Sequence, residues 1–345
     1  MIKLRKDSII YILCPGNMAT GGIEALHQLR YYLDKCGHNA FLAYYYDPHI
    51  HPRYKCYDPK VVPLKDIKDE KQNVIIVSES ITSSLKNYHY ATKCIWWLGV
   101  QCYDGDFNSV PIDFKHEVRK MIKDMIPLSI LGIKRKIQLR LKPNNEYHPY
   151  WIEKTDINLT GSKFAYDYVK KRYKNTKMFV EPISMDFLET DAPELSSKGR
   201  SDVIPYNPSK PSDIMNKLLQ RTDIQFVPIK NMTPTQIIDL FRKSKLYIDF
   251  GFFGGPERIP KESVHNGMLL LVGKRNAAIN NFDVAIPNEF KIKNYNNEEL
   301  IVEKIKYMLS HYDELIGQFD PFRKKILALE ENFIQAIKEI FVYTD

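Results

Sequence analysis

Apolar residues along this chain come in short dense runs, and stretches with helical spacing lie between them. Residues 7–13 (D-S-I-I-Y-I-L) predict a buried parallel strand. A loop, C-P-G-N-M-A-T-G-G, leads into an amphipathic helix from Ile23 to Cys36. There Leu26, Leu29 and Tyr32 (or Leu33) recur every three or four positions, and Gly37 stops the helix. A strand at 39–45 completes a βαβ unit, with strands to follow at 73–78, 94–98, 155–160 and 177–181 and helices at 115–142 and 162–174. The polar, aperiodic stretch 189–200 (E-T-D-A-P-E-L-S-S-K-G-R) reads as a linker. Alternation then resumes with strands at 202–206, 224–228, 245–250 and 268–272 and helices at 211–220 and 234–243, and closes on helices at 297–311 and 321–341. Continuous apolar strands alternating with helices predict doubly wound parallel α/β sheets. Two domains are expected: residues 1–188 and residues 201–320, with the helical segment 321–345 packing back on the first. Their strand ends would face one another across a ligand cleft.

Composition narrows the class. The chain has 345 residues, 44% hydrophobic and 27% charged, the balance of a globular protein. No apolar run approaches the roughly 18–20 residues of a bilayer span. The N-terminal M-I-K-L-R-K-D is followed by Pro15, Gly16 and Asn17 rather than a signal-peptide core, so the reading is cytoplasmic. The five cysteines (Cys14, Cys36, Cys56, Cys94, Cys102) form no C-x-x-C pair and fit reduced thiols. A net charge of +8 fits anionic partners such as nucleotides, acidic lipid or nucleic acid. Nothing in the charge pattern carries a nucleic-acid fold signature.

The richest chemistry lies in residues 247–273, Y-I-D-F-G-F-F-G-G-P-E-R-I-P-K-E-S-V-H-N-G-M-L-L-L-V-G, read as strand, glycine turn, helix, strand. Gly251, Gly254 and Gly255 permit close backbone approach to a ligand. Pro260 suits a first helical turn, and Asn266–Gly267 suits a helix end. A helix start beside Arg258 and Lys261 favours a bound anion, with Glu262 an acceptor for ribose hydroxyls. The alternative is an ordinary strand–helix junction whose glutamate balances the dipole.

This segment resembles the donor-binding element of GT-B glycosyltransferases of the retaining family 4 type, whose pattern is E-x7-E. Glu262, followed by Gly267, matches the second Glu, and the first is replaced by Gly254. The likeness is closer to a bacterial subgroup with Y-I-D-F-G-x-H-P-G-K-D-R-I-P-R-E-A, matched here at Tyr247, Ile248, Asp249, Phe250, Gly251, Gly255, Arg258, Ile259, Pro260 and Glu262. Glu257 replaces its Asp and Lys261 its Arg, while Phe253 and Pro256 depart. The A-T-G-G loop resembles the family's N-domain glycine loop, making Gly21 and Gly22 the backbone that approaches donor phosphates. The Y-N-P-S-K-P segment resembles the loop of Asn207 and Lys210, whose lysine reaches the diphosphate. The F-V-P-I-K-N-M-T-P segment resembles the base pocket, placing Pro228 and Ile229 at the base and Thr233 as a helix cap.

The resemblance implies transfer of a sugar from a nucleoside diphosphate sugar to an acceptor hydroxyl on a glycan or lipid-linked acceptor, in surface polysaccharide synthesis. Arg258, Lys261 and Glu257 would be catalytic, and Gly21, Gly22, Asn207, Lys210, Pro228, Ile229, Gly254, Gly255 and Glu262 would bind the donor. No cofactor or metal is expected, because the cations and helix starts take the leaving-group charge. Were the reaction inverting, a side-chain base would be needed, with Glu79, Asp104 and Glu257 open candidates. The basic stretch 115–142 fits either a solvated face or peripheral attachment to an anionic inner membrane leaflet. Trp96 and Trp97 fit either core packing or a sugar-stacking platform, and His27 either a packed residue or a base. Two other functions share the motif: a non-catalytic sugar-nucleotide-binding subunit, suggested by Gly254 and Pro256, and a GT-B-fold nucleotide-sugar epimerase.

Overall fold

The computed structural model describes residues 1–101, 155–210, 212–255, 257–295 and 297–344. The basic stretch 115–142, Cys102, Asp104 and Pro256 therefore lie outside the described residues. The chain forms two compact units, one of residues up to Glu181 together with those from Glu331 onward, the other of Pro182–Glu330.

The first unit begins with a short strand β1 (Ile2–Leu4), then β2 (Ile10–Pro15), helix α1 (Gly21–Lys35), β3 (Ala40–Tyr45), β4 (Val61–Pro63), β5 (Val74–Ser78), β6 (Thr92–Trp97), β7 (Ile157–Thr160), α2 (Lys163–Lys170) and β8 (Thr176–Met178). Seven of its strands form one parallel sheet in the order β4-β3-β2-β5-β6-β7-β8. Read from β2, the chain first builds the sheet outward through β3 and β4. It then crosses back to β5 and runs the other way, the doubly wound topology. Residues on both faces are buried, so the strands read as continuous apolar runs instead of alternating ones. Tyr11, Leu13, Ile75, Val77, Ile95 and Trp97 point to one shared core.

The second unit contains α3 (Met185–Leu188), β9 (Ile204–Tyr206), α4 (Asp213–Leu218), β10 (Phe226–Pro228), α5 (Pro234–Arg242), β11 (Leu246–Asp249), α6 (Arg258–His265), β12 (Leu269–Gly273), β13 (Lys291–Ile292), α7 (Glu298–Ser310), α8 (Tyr312–Leu315) and α9 (Asp320–Leu327). One parallel ladder joins β10 to β9 and another joins β11, β12 and β13. A bridge between Ser201 and Ser244 sets β9 beside β11, giving the order β10-β9-β11-β12-β13. Beyond that isolated bridge β9 and β11 form no ladder, for a chemical reason. In β9 the Ile204 N–H donates to Gln225 O on the β10 side, and the next residue, Pro205, has no N–H to offer β11. The polar stretch 189–200 belongs to this unit. Its Arg200 donates to the carbonyls of Phe241, Ser244 and Asn266, and Ser197 donates to Asp313.

The last elements, α10 (Leu329–Ile340) and β14 (Phe341–Tyr343), return to the first unit from Glu331 onward. There β14 pairs in parallel with β1, and Phe333 packs on Tyr32, Trp96 and Phe179. The helix expected over 321–341 is two helices, broken at Ala328. No helix among the described residues is long and apolar enough to cross a membrane.

Candidate functional site

In the second unit the sheet reverses its winding between β9 and β11, so the loops that leave those two strands part company at their carboxyl ends. Such a point opens a crevice that ligands occupy. Residues 207–210 follow β9 and residues 250–257 follow β11, which brings Lys210 against the glycine turn. Lys210 Nζ lies 2.6 Å from Glu257 Oε2, 3.7 Å from Asp249 Oδ2, and donates to Phe252 O at 2.9 Å. It also sits 5.1 Å from the centre of the Phe253 ring. Burial disfavours the ammonium, but Asp249 and Glu257 outweigh it and hold Lys210 above the ordinary lysine value. The site therefore carries a fixed cation across the physiological pH range. Burial also pushes the Asp249 carboxyl up, with Lys210 opposing it.

Gly251 is required where it stands. A Cβ there would lie 2.6 Å from Lys210 Cβ and 3.0 Å from Lys210 O, and its N–H donates to Asp249 Oδ1 at 2.9 Å. Glu257, at the start of α6, has φ of +51°, a conformation that costs a non-glycine residue about 1–3 kcal/mol. Its carboxylate offsets that cost by holding Lys210 with one oxygen and accepting from Gly254 N at 2.8 Å with the other. Glu257 makes no side-chain cap to the α6 amides. At the far end of α6, Asn266 is the cap and Gly267 takes φ of +82°, the ending the sequence predicts.

The remaining expected residues of this unit sort as follows. Arg258 is the first residue of α6 and donates to Ser184 Oγ at 3.4 Å. Glu262 is buried one turn on and accepts from Ser184 Oγ at 3.0 Å and Ser184 N at 3.4 Å. Lys261 is 1% exposed. Asn207 makes a turn, its Oδ1 accepting from Ser209 N at 3.0 Å. Pro228 ends β10 and has no N–H, and Ile229 N donates to Tyr206 O at 2.9 Å. Any contact from that backbone to a ligand therefore runs through carbonyls. Gly255 is buried in the turn. Thr233 caps α5 in a reciprocal box with Gln236, as its spacing predicts.

In the first unit Gly21 and Gly22 are the exposed first residues of α1, capped by Thr20. A Cβ on Gly22 would meet only Leu98 Cδ1, at 3.7 Å. The glycine that the backbone demands is Gly16, unnoticed in the sequence: a Cβ there would fall 1.8 Å from Asp47 O. His27 is 1% exposed; its Nδ1 donates to Ile23 O at 2.8 Å, its Nε2 accepts from Tyr44 Oη at 2.7 Å, and it stacks on Tyr54. Burial lowers its pKa to about 4, so it is a neutral packed ring and not a base. Trp96 and Trp97 are fully buried, donating to Phe179 O and Asn158 Oδ1, which makes them core residues and not a stacking platform. Glu79 accepts from the N–H groups of Leu98 and Gly99 at 2.9 and 3.1 Å and holds the turn after β6. Among the described residues no three His, Cys, Asp or Glu side chains cluster as metal ligands.

No family model matches the chain, and no curated protein matches it. Solved structures do. A glycosyltransferase from Rickettsia africae ESF-5 aligns with a TM-score of 0.57 at 15% identity, over 96% of this chain and 98% of that one. A sucrose-phosphate synthase from Thermosynechococcus elongatus aligns at 0.58 and 11% identity, over 96% and 98%. An α-glucosyltransferase in complex with UDP and a 13-mer DNA containing an HMU base aligns at 0.52 and 11% identity, over 95% and 99%. At these identities the likeness is one of fold: this α/β chain with parallel sheets folds as these glycosyltransferases do.

Proposed function

We propose that this chain is a glycosyltransferase that moves a sugar from a nucleoside diphosphate sugar to an acceptor hydroxyl. The observation that carries the reading is the meeting of Lys210, the Gly251–Gly255 turn and the Arg258 end of α6 where the chain changes direction between the neighbouring parallel strands β9 and β11. In the reaction the bond from the anomeric carbon to the diphosphate oxygen breaks, the acceptor hydroxyl oxygen bonds to that carbon, and the hydroxyl proton passes to the departing diphosphate. The departing diphosphate gains charge as this happens. Lys210, Arg258 and the dipole of α6 supply positive potential there without a metal ion. A diphosphate competes with Glu257 and Asp249 for Lys210, so donor binding exchanges one ion pair for another. Glu262 is the acceptor for ribose hydroxyls, and the glycine loop at Gly21 and Gly22 is the second element toward the phosphates. The resemblance to family 4 supports the two-lobed GT-B arrangement with the donor between the lobes. A glycan or lipid-linked acceptor, reached with help from the basic stretch 115–142 at an anionic inner leaflet, completes the proposal.

The test is a melting-curve screen against nucleoside diphosphates and their sugars, UDP first, followed by turnover with product analysis. A ligand of the native state raises the apparent melting temperature in a concentration-dependent way. Donor consumption that depends on an acceptor establishes transfer, and the anomeric configuration of the product establishes retention. Donor isomerisation without acceptor would replace the reading by an epimerase, and tight donor binding without any turnover by a non-catalytic subunit.

A further inference from the structure

Two residues past the apolar strand β12, and outside the motif that ends at Gly273, lies Arg275. It is 5% exposed, and its Nη1 is buried without a hydrogen bond among the described residues. Nε donates to Tyr295 Oη at 3.1 Å, and the guanidinium carbon lies 4.7 Å from the centre of the Tyr295 ring. No carboxylate lies within ion-pair distance among the described residues. Burying a guanidinium with one donor unmet and no ion-pair partner is costly, and a water, an ion or a ligand oxygen can complete it. Its place in the fold says which. The backbone of this segment touches the glycine turn through Ala277 N, which donates to Phe253 O at 3.4 Å. Tyr295 packs edge-on against Phe250, the residue that opens the turn. The chain also makes room for the pair: a Cβ on Gly273 would fall 1.7 Å from Tyr295 Oη. Tyr247 Oη, on neighbouring β11, is likewise buried without a hydrogen bond, while Asp249 Oδ2 beside it is met by Lys210 at 3.7 Å.

We propose that Arg275 is an oxyanion-binding residue of the donor site, its free Nη1 edge taking an oxygen of the donor's diphosphate or of a carboxylate on the transferred sugar. The inference rests on the glycosyltransferase reading and adds to it a cation that the motif does not contain. Tyr295 holds the fork in place, and the planar guanidinium suits a phosphate or carboxylate better than an ammonium would.

Calorimetric titration of inorganic pyrophosphate, UDP and a UDP-linked uronic acid into wild type, Arg275→Met and Arg275→Lys decides the matter, with a ligand-free melt of each. Arg275→Met should bind pyrophosphate and UDP at least tenfold more weakly while melting no lower than wild type, since it removes an uncompensated buried charge. If pyrophosphate and UDP binding hold but the preference for the uronic acid over a neutral sugar is lost, the anion is the sugar carboxylate, and the proposal stands. Equal affinity of wild type and Arg275→Met for all three ligands overturns it, as does a lower melt with binding intact. Should Arg275→Met not melt cooperatively, Arg275→Lys decides: a loss of several-fold supports the fork, and unchanged affinity refutes it. A wild type that binds pyrophosphate through Arg275 but no nucleotide keeps this inference and removes the glycosyltransferase reading.

Discussion

A methyl group at position 251 tests the geometry around Lys210. In Gly251→Ala the new Cβ would sit 2.6 Å from Lys210 Cβ, 3.0 Å from Lys210 O and 3.1 Å from Asp249 Oδ1. Comfortable carbon contacts lie at about 3.5–4.0 Å, so roughly 1 Å of movement is forced. Because backbone as well as side chain is struck, a rotamer change does not relieve it. Overpacking of this kind costs about 1–3 kcal/mol. For a unit of this size each kcal/mol lowers the melting temperature by about 2–4 °C. The movement also carries Lys210 Nζ off Phe252 O and Glu257, and a misplacement of about 1 Å in a positioned group can lower turnover about 100-fold. Calorimetric melts and kcat/KM with the donor found by screening measure both effects. A variant that melts and turns over like wild type would refute the claim that the β9 loop and the glycine turn are locked together.

Three further outcomes are expected. Gly22→Ala, which meets only Leu98 in a helical first turn, should leave the ligand-free protein as stable or up to about 1 kcal/mol more stable. Weaker donor binding in that variant would mark the donor phosphates as approaching the α1 start, and unchanged binding would remove Gly22 from the site. Glu262→Ala strands the buried Ser184 donors and should destabilise by about 1–3 kcal/mol, whereas Glu262→Gln keeps an acceptor for them. If Glu262 reads ribose, the calorimetric preference for a ribonucleoside over a 2′-deoxyribonucleoside diphosphate shrinks in Glu262→Gln; an undiminished preference rejects that contact. His27 sets a pH dependence. Its folded pKa of about 4 lies below its unfolded value of 6.5, so between those values the unfolded chain binds more protons and stability rises with pH. Acidifying through that window from pH 6.5 to 4 should therefore cost up to about 3 kcal/mol in wild type, and less in His27→Gln. Equal acid sensitivity of the two proteins would contradict it.

Most strands and helices were legible because a parallel sheet covered on both faces writes itself as continuous apolar runs, and because Thr233, Asn266 and Gly267 carry recognisable end chemistry. The short strands β1, β4, β13 and β14 were not, since two or three residues hold no period. Glycine count misled in one place and served in another. Gly21 and Gly22 are conspicuous in sequence, yet a Cβ on Gly22 would make only an ordinary contact with Leu98, while Gly16 and Gly251 are fixed by backbone that arrives from distant segments. The same limit hid the site's electrostatics. Lys210 and Glu257 are far apart along the chain, and only the crossover from β9 to β11 makes them a pair. Arg275 gave a faint signal, an arginine just past the end of an apolar strand, but its missing partner is visible only in three dimensions.

The return of residues from Glu331 to the first unit has a consequence for synthesis. When Glu181 leaves the ribosome, the sheet of that unit has been made but the aromatic wedge Phe333, which covers Trp96 and Phe179, has not. At about 5–20 residues per second the wait lasts roughly ten to thirty seconds. Through that interval a greasy flank stays open, and the part translated first becomes the part finished last.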